Sequence, residues 1–513
     1  MLLRILLAPA LAALALAQPA PPAAPTLVDP PIACDAVQYL DGADWTLSNA
    51  GGSVSVAGSV PGDVISDLQR AGVVGDPNYE LNWLTDSPLW FGSVWTYSKT
   101  VSFSAAQVAA IEAGASDTLL VLDGVKMAAT ISLNGAQVGH ATDQFLRYEL
   151  SLSAAHRART ARLRAGDNTI SVAFDPADQT TEGRFMACSG GWDWAGYIWN
   201  TTTAGQGADG PTPTRTLTSG LWKSVYLATV ASASAAITHV VPHVFYLGAF
   251  PVAPLSDADN GGFSVAVRVH MWAPAGGATG TLSVSGAWPG AQATAPVSVG
   301  AGESNVTVTL AAPTGSVRLW WPAGTGGAQP LYEVRASFAP AAGAPVAAEP
   351  RRIGFRFVAL TTGNDTDAAW RAANAGGDGN ANQGMMIRVN GAALMIRGAN
   401  MIPVDEFEGR YVADAFARIV KSSAEARMNL LRVWGGGVFA PAALRVLRTH
   451  ASAHAPARVL PPLERPAPNP LFSPARFRFQ LRRLRRQRHP RVPRHAVRAE
   501  RALAARRLPG HGG

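Results

Sequence analysis

Cysteine is scarce in this chain of 513 residues, which contains only Cys34 and Cys188. Two cysteines are too few for a disulfide-rich scaffold, although they could form one bridge or remain as two buried thiols. The sequence also lacks a phosphate-binding glycine loop with lysine, a Gly-x-Ser-x-Gly nucleophile motif and a metal-ligand spacing among its ten histidines. These absences argue against a nucleotide-dependent enzyme, a serine hydrolase and a metalloenzyme.

Long apolar runs are absent beyond the N-terminus. Residues 1–17 begin Met-Leu-Leu-Arg, continue with apolar residues and end in Ala15-Leu16-Ala17, which predicts a signal peptide that is too short to span a bilayer core of about 30 Å. We therefore expect a protein that is secreted, or lysosomal or vacuolar, by the secretory pathway and has no membrane span. Glycosylation sequons at Asn200, Asn305 and Asn364 fit this expectation, although such triplets also arise by chance.

The net charge of +8 misrepresents most of the chain. Residues 447–513 contain 16 Arg and 2 Glu, a balance of +14, so residues 1–446 carry −6. The main body therefore offers no basic surface for nucleic acid. The last 67 residues also contain 10 Pro and no apolar periodicity. We expect residues 447–513 to be a disordered tail that is not native to the protein, such as a reading-frame or gene-model error would produce.

Short alternating segments separated by Gly, Pro and Asn predict a mainly β fold. In residues 32–230, Ala129, Ile131 and Leu133 alternate with polar residues and precede Asn134-Gly135, a pair typical of a tight hairpin turn. This region is interpreted as one β-sandwich.

A second β-unit is predicted in residues 231–360. Val265, Val267, Val269 and Met271 alternate there with less apolar residues, which indicates strands with one buried face. Its size and strand spacing suit an immunoglobulin-like sandwich.

The pattern changes after a spacer rich in Gly, Asn and Ala at residues 361–383. Residues 386–396 predict a hairpin, residues 412–420 have apolar side chains at helical spacing, and residues 429–433 predict a strand. Strand, helix and strand in this order indicate that an α/β barrel begins in residues 385–446. Because such a barrel typically needs about 250 residues and eight strands, we expect one that cannot close.

Tryptophans cluster in loop-like contexts, most densely at Trp192, Trp194 and Trp199. Aromatic faces suit the C–H surfaces of sugar rings, and Asp193 between two of these rings could bind sugar hydroxyls. The alternative, that these residues are core tryptophans of a sandwich, has about equal weight from composition alone.

Nine motifs occur in a specific order between residues 40 and 439. They are Pro61-Gly62-Asp63-Val64, Asp76-Pro77-Asn78-Tyr79 with Asn82, Gly190-Gly191-Trp192-Asp193-Trp194, Gly220-Leu221-Trp222, Leu319-Trp320-Trp321-Pro322, Leu331-Tyr332, Ile353-Gly354-Phe355-Arg356, Arg397-Gly398-Ala399-Asn400 with Pro403, and Asn429-Leu430-Leu431-Arg432-Val433-Trp434-Gly435-Gly436-Gly437. This series resembles the β-mannosidases of glycoside hydrolase family two. The Trp-Asp-Trp and triple-glycine segments favour the mannosidase branch over β-galactosidases.

The resemblance implies a galactose-binding-like jelly roll, an immunoglobulin-like sandwich and then the start of a TIM barrel. It also implies that Trp192, Asp193 and Trp194 reach the barrel mouth, where Asp193 holds the terminal mannose, and that Arg432 and Trp434 line the same pocket. Barrel sites lie at the carboxyl ends of strands, which agrees with the positions of Arg432 and Trp434. The implied partners are β-mannoside oligosaccharides or glycans, without nucleic acid or membrane. No cofactor and no metal are implied.

A retaining glycosidase needs two carboxyl groups about 5–5.5 Å apart, and in this family the acid/base glutamate directly follows an asparagine. The sequence contains no Asn-Glu pair. Asp405, Glu406 and Glu408 follow the first barrel strand, but the family has a loop at these positions. We therefore assign no catalytic residue and expect the chain as written to be inactive.

Three functions compete at this point. The first is a retaining β-mannosidase that hydrolyses terminal non-reducing β-D-mannose, the second is a non-catalytic carbohydrate-binding protein built from the two sandwiches, and the third is a polyanion binder that acts through its arginine tail. Binding of sugar without turnover would favour the second. Export from the cell argues against the third.

Overall fold

The computed structural model describes residues 29–80, 82–176, 218–361, 366 and 385–438. Within these ranges the fold is mainly β, as predicted, with few and short helices. None of the helices in this part of the chain is both long and apolar enough to cross a bilayer. Several predictions concern residues outside the described ranges and stay predictions. These residues are the predicted signal peptide, nearly all of the spacer at residues 361–383, Cys188, Asn200, Asn364 and residues 439–513.

The first sandwich comprises two antiparallel sheets. Its strands are β1 (Ala36–Tyr39), β2 (Gly42–Asn49), β3 (Ser55–Val60), β4 (Trp95–Phe103), β5 (Ser116–Leu122), β6 (Val125–Lys126), β7 (Ala129–Leu133), β8 (Ala136–Ala141), β9 (Tyr148–Ser151), β10 (Gly166–Phe174), β11 (Gly220–Leu221) and β12 (Val225–Ala231), and its helices are α1 (Val64–Arg70), α2 (Asn82–Phe91), α3 (Ala105–Glu112) and α4 (Leu152–Arg157). One sheet has the order β3-β2-β4-β10-β7-β8 and the other β1-β12-β5-β9, while β6 pairs with β11.

Alternation and turn chemistry explain the local structure of this sandwich. Ala129, Ile131 and Leu133 of β7 are buried in its core, as predicted from the period of two. Asn134 and Gly135 then adopt φ angles of 52° and 82°. Both values are positive, as the predicted primed turn requires.

Strand β5 is buried on both faces. Leu120 and Leu122 belong to the core of the first sandwich, whereas Leu119 and Val121 pack in a separate apolar cluster with Trp272 of the second sandwich. This double burial explains why the last four residues of β5, Leu119 to Leu122, are all apolar instead of alternating.

The second sandwich also comprises two sheets. Its strands are β13 (Ala236–Tyr246), β14 (Phe263–Ala273), β15 (Ala278–Gly286), β16 (Gln292–Val299), β17 (Gly302–Ala312), β18 (Tyr332–Pro340), β19 (Val346–Ala347) and β20 (Arg351–Ile353). One sheet has the order β13-β14-β17 and the other β16-β15-β18-β19, with β20 also on β18. The predicted alternation in β14 is confirmed, because Val265, Val267, Val269 and Met271 are all fully buried between the sheets.

The C-terminal described part begins with strands β21 (Val358–Thr361), β22 (Met386–Val389) and β23 (Ala392–Leu394), which form a small antiparallel sheet. It continues with β24 (Gly398–Met401), a 3-10 turn (Glu408–Arg410), helix α5 (Ala413–Glu425) and β25 (Leu430–Val433). Strands β24 and β25 are parallel neighbours. The predicted hairpin and the strand-helix-strand order are therefore present.

Asn390 joins this hairpin to the second sandwich. Its side chain accepts a hydrogen bond from Phe357 N and donates one to Trp320 O, each at 2.9 Å. Its main chain donates to Phe357 O and accepts from Leu255 N, also at 2.9 Å. Asn390 is fully buried with a φ of 49°, so a single left-handed residue satisfies four bonds between two parts of the fold.

Candidate functional site

Arg432 and Asn400 lie side by side on the two parallel strands. The register pairs Asn400 of β24 with Arg432 of β25, and Arg432 Nη1 donates a hydrogen bond to Asn400 Oδ1 at 3.1 Å. Both residues are exposed. Because parallel strands end at the same edge, the structure presents a guanidinium and an amide together near the carboxyl end of this strand pair.

Trp434 follows β25 and faces the first sandwich. It is half-buried and packs at the edge of a cluster that contains Trp222, Tyr411, Phe416 and Val438. Trp222 comes from the first sandwich, where its indole Nε1 donates to Gln144 O at 3.0 Å. Trp434 therefore lies at the contact between the first sandwich and the β24-α5-β25 unit.

The triple glycine after Trp434 has a steric explanation at one position. A Cβ atom on Gly436 would lie 2.3 Å from the ring of Trp434, closer than real side chains approach. Glycine at 436 lets the backbone pass beside the indole, as the close approach demands.

A buried carboxylate connects the same two parts of the fold. Glu408 Oε1 lies 2.6 Å from Lys126 Nζ and accepts a hydrogen bond from Gln144 Nε2 at 2.9 Å, while Oε2 accepts one from Thr218 Oγ1 at 2.5 Å. All four residues are buried. We name this group, Lys126, Gln144, Thr218 and Glu408, the Glu408 cluster.

A second set of polar contacts flanks the Glu408 cluster. Asp63 caps helix α1 by accepting from Ser66 N at 2.8 Å, and its other oxygen accepts from Gly409 N at 2.6 Å. Arg410 donates to Gln69 at 2.7 Å and pairs with Asp76 at 3.0 Å. The 3-10 turn at residues 408–410 is thus fixed to the first sandwich by one bond or more from each of its residues.

The three carboxyls of this segment differ in environment. Burial raises the pKa of Glu406 to about 7 against the opposing charge of Arg410, and burial also raises the pKa of Asp405. Asp405 Oδ1 accepts from Phe407 N at 3.0 Å. Both oxygens of Glu408 are occupied by first-sandwich side chains. Glu408 therefore serves to join two parts of the fold.

The predicted sugar site is divided between described residues and residues outside the described ranges. Arg432 and Trp434 lie near the carboxyl end of the strand pair, where Arg432 donates to Asn400 and Trp434 packs against the cluster that contains Trp222 and Tyr411. Trp192, Asp193 and Trp194 lie outside the described residues. Thr218, the first described residue after residue 176, belongs to the Glu408 cluster.

Sequence reasoning missed the Glu408 cluster. The one available signal was a lysine, Lys126, placed between apolar residues in the segment Gly124 to Ala128, since buried lysines usually have an acidic partner. Nothing in the sequence identifies that partner. Among the described residues, no group of three or more His, Cys, Asp or Glu side chains is placed to hold a metal ion.

Comparison with known proteins shows which proteins this chain is similar to. Residues 45–223 match the family described as glycosyl hydrolase 2 galactose-binding domain-like. Over 446 residues the chain is 27% identical to β-mannosidase A of Aspergillus aculeatus, and over 426 residues it is 24% identical to β-mannosidase of Mus musculus. These alignments include 79% and 78% of this chain but only 42% of the length of each relative.

Solved structures agree on the fold. The crystal structure of β-D-mannosidase from Dictyoglomus thermophilum superposes with a TM-score of 0.60 at 22% sequence identity, over 81% of this chain and 46% of that one. The resemblance that the nine ordered motifs indicated is therefore confirmed: residues 45–223 match the glycosyl hydrolase 2 galactose-binding domain-like family, and most of the chain is similar to β-mannosidases.

Proposed function

We propose that this protein belongs to the β-mannosidase branch of glycoside hydrolase family two, whose full-length enzymes hydrolyse terminal non-reducing β-D-mannose with retention. The observation that carries the proposal is the similarity to β-mannosidases over about four fifths of the chain, together with the parallel strand pair that bears Arg432 and is followed by Trp434. The substrates are then β-mannoside oligosaccharides or glycans.

The architecture that goes with this proposal is the one that the resemblance implies. Residues 32–230 are the galactose-binding-like jelly roll, residues 231–360 the immunoglobulin-like sandwich, and residues 385–446 the first strands of a TIM barrel. The parallel pairing of β24 with β25 around helix α5 supports the last assignment, because a strand-helix-strand unit with parallel strands is the repeating element of such barrels. The signal peptide and delivery through the secretory pathway remain part of the proposal.

We propose further that the polypeptide of 513 residues does not turn over substrate. Retention requires a carboxylic acid to protonate the leaving oxygen and a second carboxylate to capture the sugar. The sequence has no Asn-Glu pair, and Glu408 is held in the Glu408 cluster. Purified protein should release no more aglycone from an aryl β-mannoside than buffer does. Saturable release would contradict both this statement and the assignment of no catalytic residue.

Sugar binding tests the site separately from turnover. Titration with mannose, followed by tryptophan fluorescence, should give a saturable change that Asp193→Ala or Trp434→Ala reduces. Asp44→Ala is the matched control, since Asp44 is exposed and pairs with Lys99 in the first sandwich. Equal signals in all four proteins would show that the predicted sugar site is wrong.

The same titration addresses the second candidate function. Binding without turnover is also what a non-catalytic carbohydrate-binding protein would show, so the decisive comparison is a polypeptide in which the barrel of the relatives is restored. Turnover that is lost on Asp193→Ala supports the glycosidase, and binding without turnover in that longer protein supports the binding module.

A further inference from the structure

Glu149 faces the second sandwich from the sheet of the first. It pairs with Val121 across β9 and β5, and Val121 lies in the apolar cluster that contains Trp272. Residues directly opposite each other in antiparallel strands project from the same face of the sheet. The Glu149 carboxyl therefore lies at the margin of the contact between the two sandwiches, which we name the joint.

Glu303 occupies the corresponding place on the other side of the joint. It pairs with Trp272 across β17 and β14, and Trp272 packs on Val121 and its neighbours in the first sandwich. By the same rule of shared faces, Glu303 projects from the face of its sheet that meets the first sandwich. Two carboxyl groups thus approach the joint from opposite sides.

Arg147 is the main cation at the joint. Its Nε donates to Asp123 Oδ1 at 2.5 Å, Nη1 donates to Thr238 O at 2.9 Å, and Nη2 donates to Pro30 O at 3.3 Å. It therefore links a strand-end carboxylate of the first sandwich to a carbonyl of β13 in the second. The charges of Asp123 and Glu149 both act on this guanidinium, and Glu303 adds a third carboxyl group whose charge acts on Glu149.

The remaining titratable and charged groups around the joint come from several elements. They are Tyr226 on β12, His239 on β13, His270 on β14 and Arg351 on β20, together with Tyr39 on β1 and the pair of Asp29 and Lys223, which lie near Asp123. The rings of His239 and His270 are cross-strand neighbours with centroids 5.9 Å apart. All of these groups enter the charge balance of the joint.

We propose that the joint between the two sandwiches is a pH-sensitive contact that is most stable in mildly acidic solution, where Glu149 takes up a proton and no longer holds a buried charge beside Glu303 and Asp123. The apolar cluster holds the joint together at all pH values. The protonation of the carboxyl groups at its margin determines how stable the joint is.

The sign follows from the pKa of Glu149. Burial raises this pKa from 4.5 to about 7, Arg147 opposes the shift, and Glu303 and Asp123 add to it. A carboxyl with a raised pKa in the folded protein favours folding below its unfolded pKa, and this contribution is lost as the pH rises through the folded value. The joint should therefore lose stability between about pH 4.5 and about pH 7.

Asp123 acts in the same direction and His239 in the opposite one. Burial raises the pKa of Asp123 to about 6 despite Arg147, so its ionisation also costs stability as the pH rises. Burial and the charge of Arg147 lower the pKa of His239 to about 4, so its protonation costs stability as the pH falls from 6.5. Replacing Glu149 with glutamine separates its contribution from those of Asp123 and His239. Glutamine has the shape of the protonated glutamate side chain but cannot ionise.

Thermal unfolding of the full chain tests the proposal between pH 5 and pH 8. Glu149→Gln should melt close to the unaltered protein at pH 5 and several degrees above it at pH 8. Glu303→Gln should give a smaller gain of the same sign, and the double variant should gain less than the sum of both, because each single change already relieves the same repulsion.

Glu333→Gln is the matched control, since Glu333 is an exposed glutamate of the second sandwich that pairs with Arg335 away from the joint. Its melting temperature should differ from the unaltered protein by the same amount at every pH. A pH-independent difference for Glu149→Gln, or strict additivity with Glu303→Gln, would overturn the proposal. If Glu149→Gln fails to fold, Glu303→Gln alone decides the question through the same pH series.

Discussion

Glu408 and Lys126 form an ion pair across two parts of the fold, with 2.6 Å between Oε1 and Nζ and with both side chains almost fully buried. Lys126 comes from the short strand β6 of the first sandwich, and Glu408 from the 3-10 turn before helix α5. Among the described residues, Lys126 Nζ donates no aligned hydrogen bond, so its ion pair with Glu408 compensates the charge of this buried ammonium group.

Removing one partner of this pair should destabilise the docked β24-α5-β25 unit. We expect Lys126→Met to lower the free energy of unfolding by about 3–5 kcal/mol, because it leaves the Glu408 carboxylate buried without its counter-charge. Urea denaturation measures the loss, and faster hydrogen exchange in residues 398–438 would locate it.

The control for this prediction is Lys421→Met, since Lys421 is exposed and lies 4.0 Å from Glu425 on the surface of helix α5. That change should alter stability by less than about 1 kcal/mol. The double variant Lys126→Met with Glu408→Met should recover part of the loss, because no charge then remains buried. Equal effects of Lys126→Met and Lys421→Met would refute the role given to the Glu408 cluster.

Asn390→Ala should release the β22-β23 hairpin from the second sandwich. The change leaves Phe357 N and Trp320 O without their side-chain partners and places alanine at a φ of 49°. We expect a loss of about 2–4 kcal/mol. Asn305→Ala, at an exposed asparagine of β17, should change stability by no more than about 0.5 kcal/mol. Chemical denaturation of both variants decides the matter.

Cys34 should react slowly with alkylating reagents. Its thiol donates to Ala36 O at 3.1 Å, and burial raises its pKa to about 11. At pH 8 only about a thousandth of the thiol is then ionised, against roughly a quarter for a free cysteine. Mass spectrometry after iodoacetamide treatment should show labelling roughly 100-fold slower in the folded protein than in urea. Similar rates in both states would contradict the burial of this thiol.

Asn305 should carry a glycan when the protein passes through a eukaryotic secretory pathway. Asn305 and Thr307 are both exposed on β17, an edge strand of its sheet, so this sequon is accessible from solvent. Endoglycosidase treatment should reduce the mass of the secreted protein. Asn305→Gln and Thr307→Ala should each abolish the mass loss that is due to the glycan on Asn305. Thr309→Ala, which lies two residues outside the sequon, should leave that mass loss unchanged.

Local pattern was sufficient to predict much of the fold. Alternation placed Val265 to Met271 in a core, and the Asn134-Gly135 and Asn390-Gly391 pairs located two hairpin turns whose φ angles are positive at both residues. The helical spacing of Val412, Phe416 and Ile419 predicted helix α5. These predictions succeed because periodicity and turn geometry are properties of neighbouring residues.

For the candidate site, the sequence predicted which residues take part but not which contacts they make. The sequence predicted that Arg432 and Trp434 lie at a strand end, but it could not show that Arg432 bonds to Asn400 or that Trp434 packs against a cluster that includes Trp222 of the first sandwich. Those relations depend on the register of two parallel strands and on how a separate sandwich meets them.

The sequence by itself determined the mainly β class, the order of the parts and the similarity to β-mannosidases, since these follow from short-range patterns and from ordered motifs. Tertiary structure alone decided that Lys126 meets Glu408, that Asn390 joins the hairpin to the second sandwich, and that Glu149 and Glu303 face the same joint. The physical reason is that a buried charge or amide selects its partner by position in space, and residues far apart in the chain leave no periodic trace of such a choice.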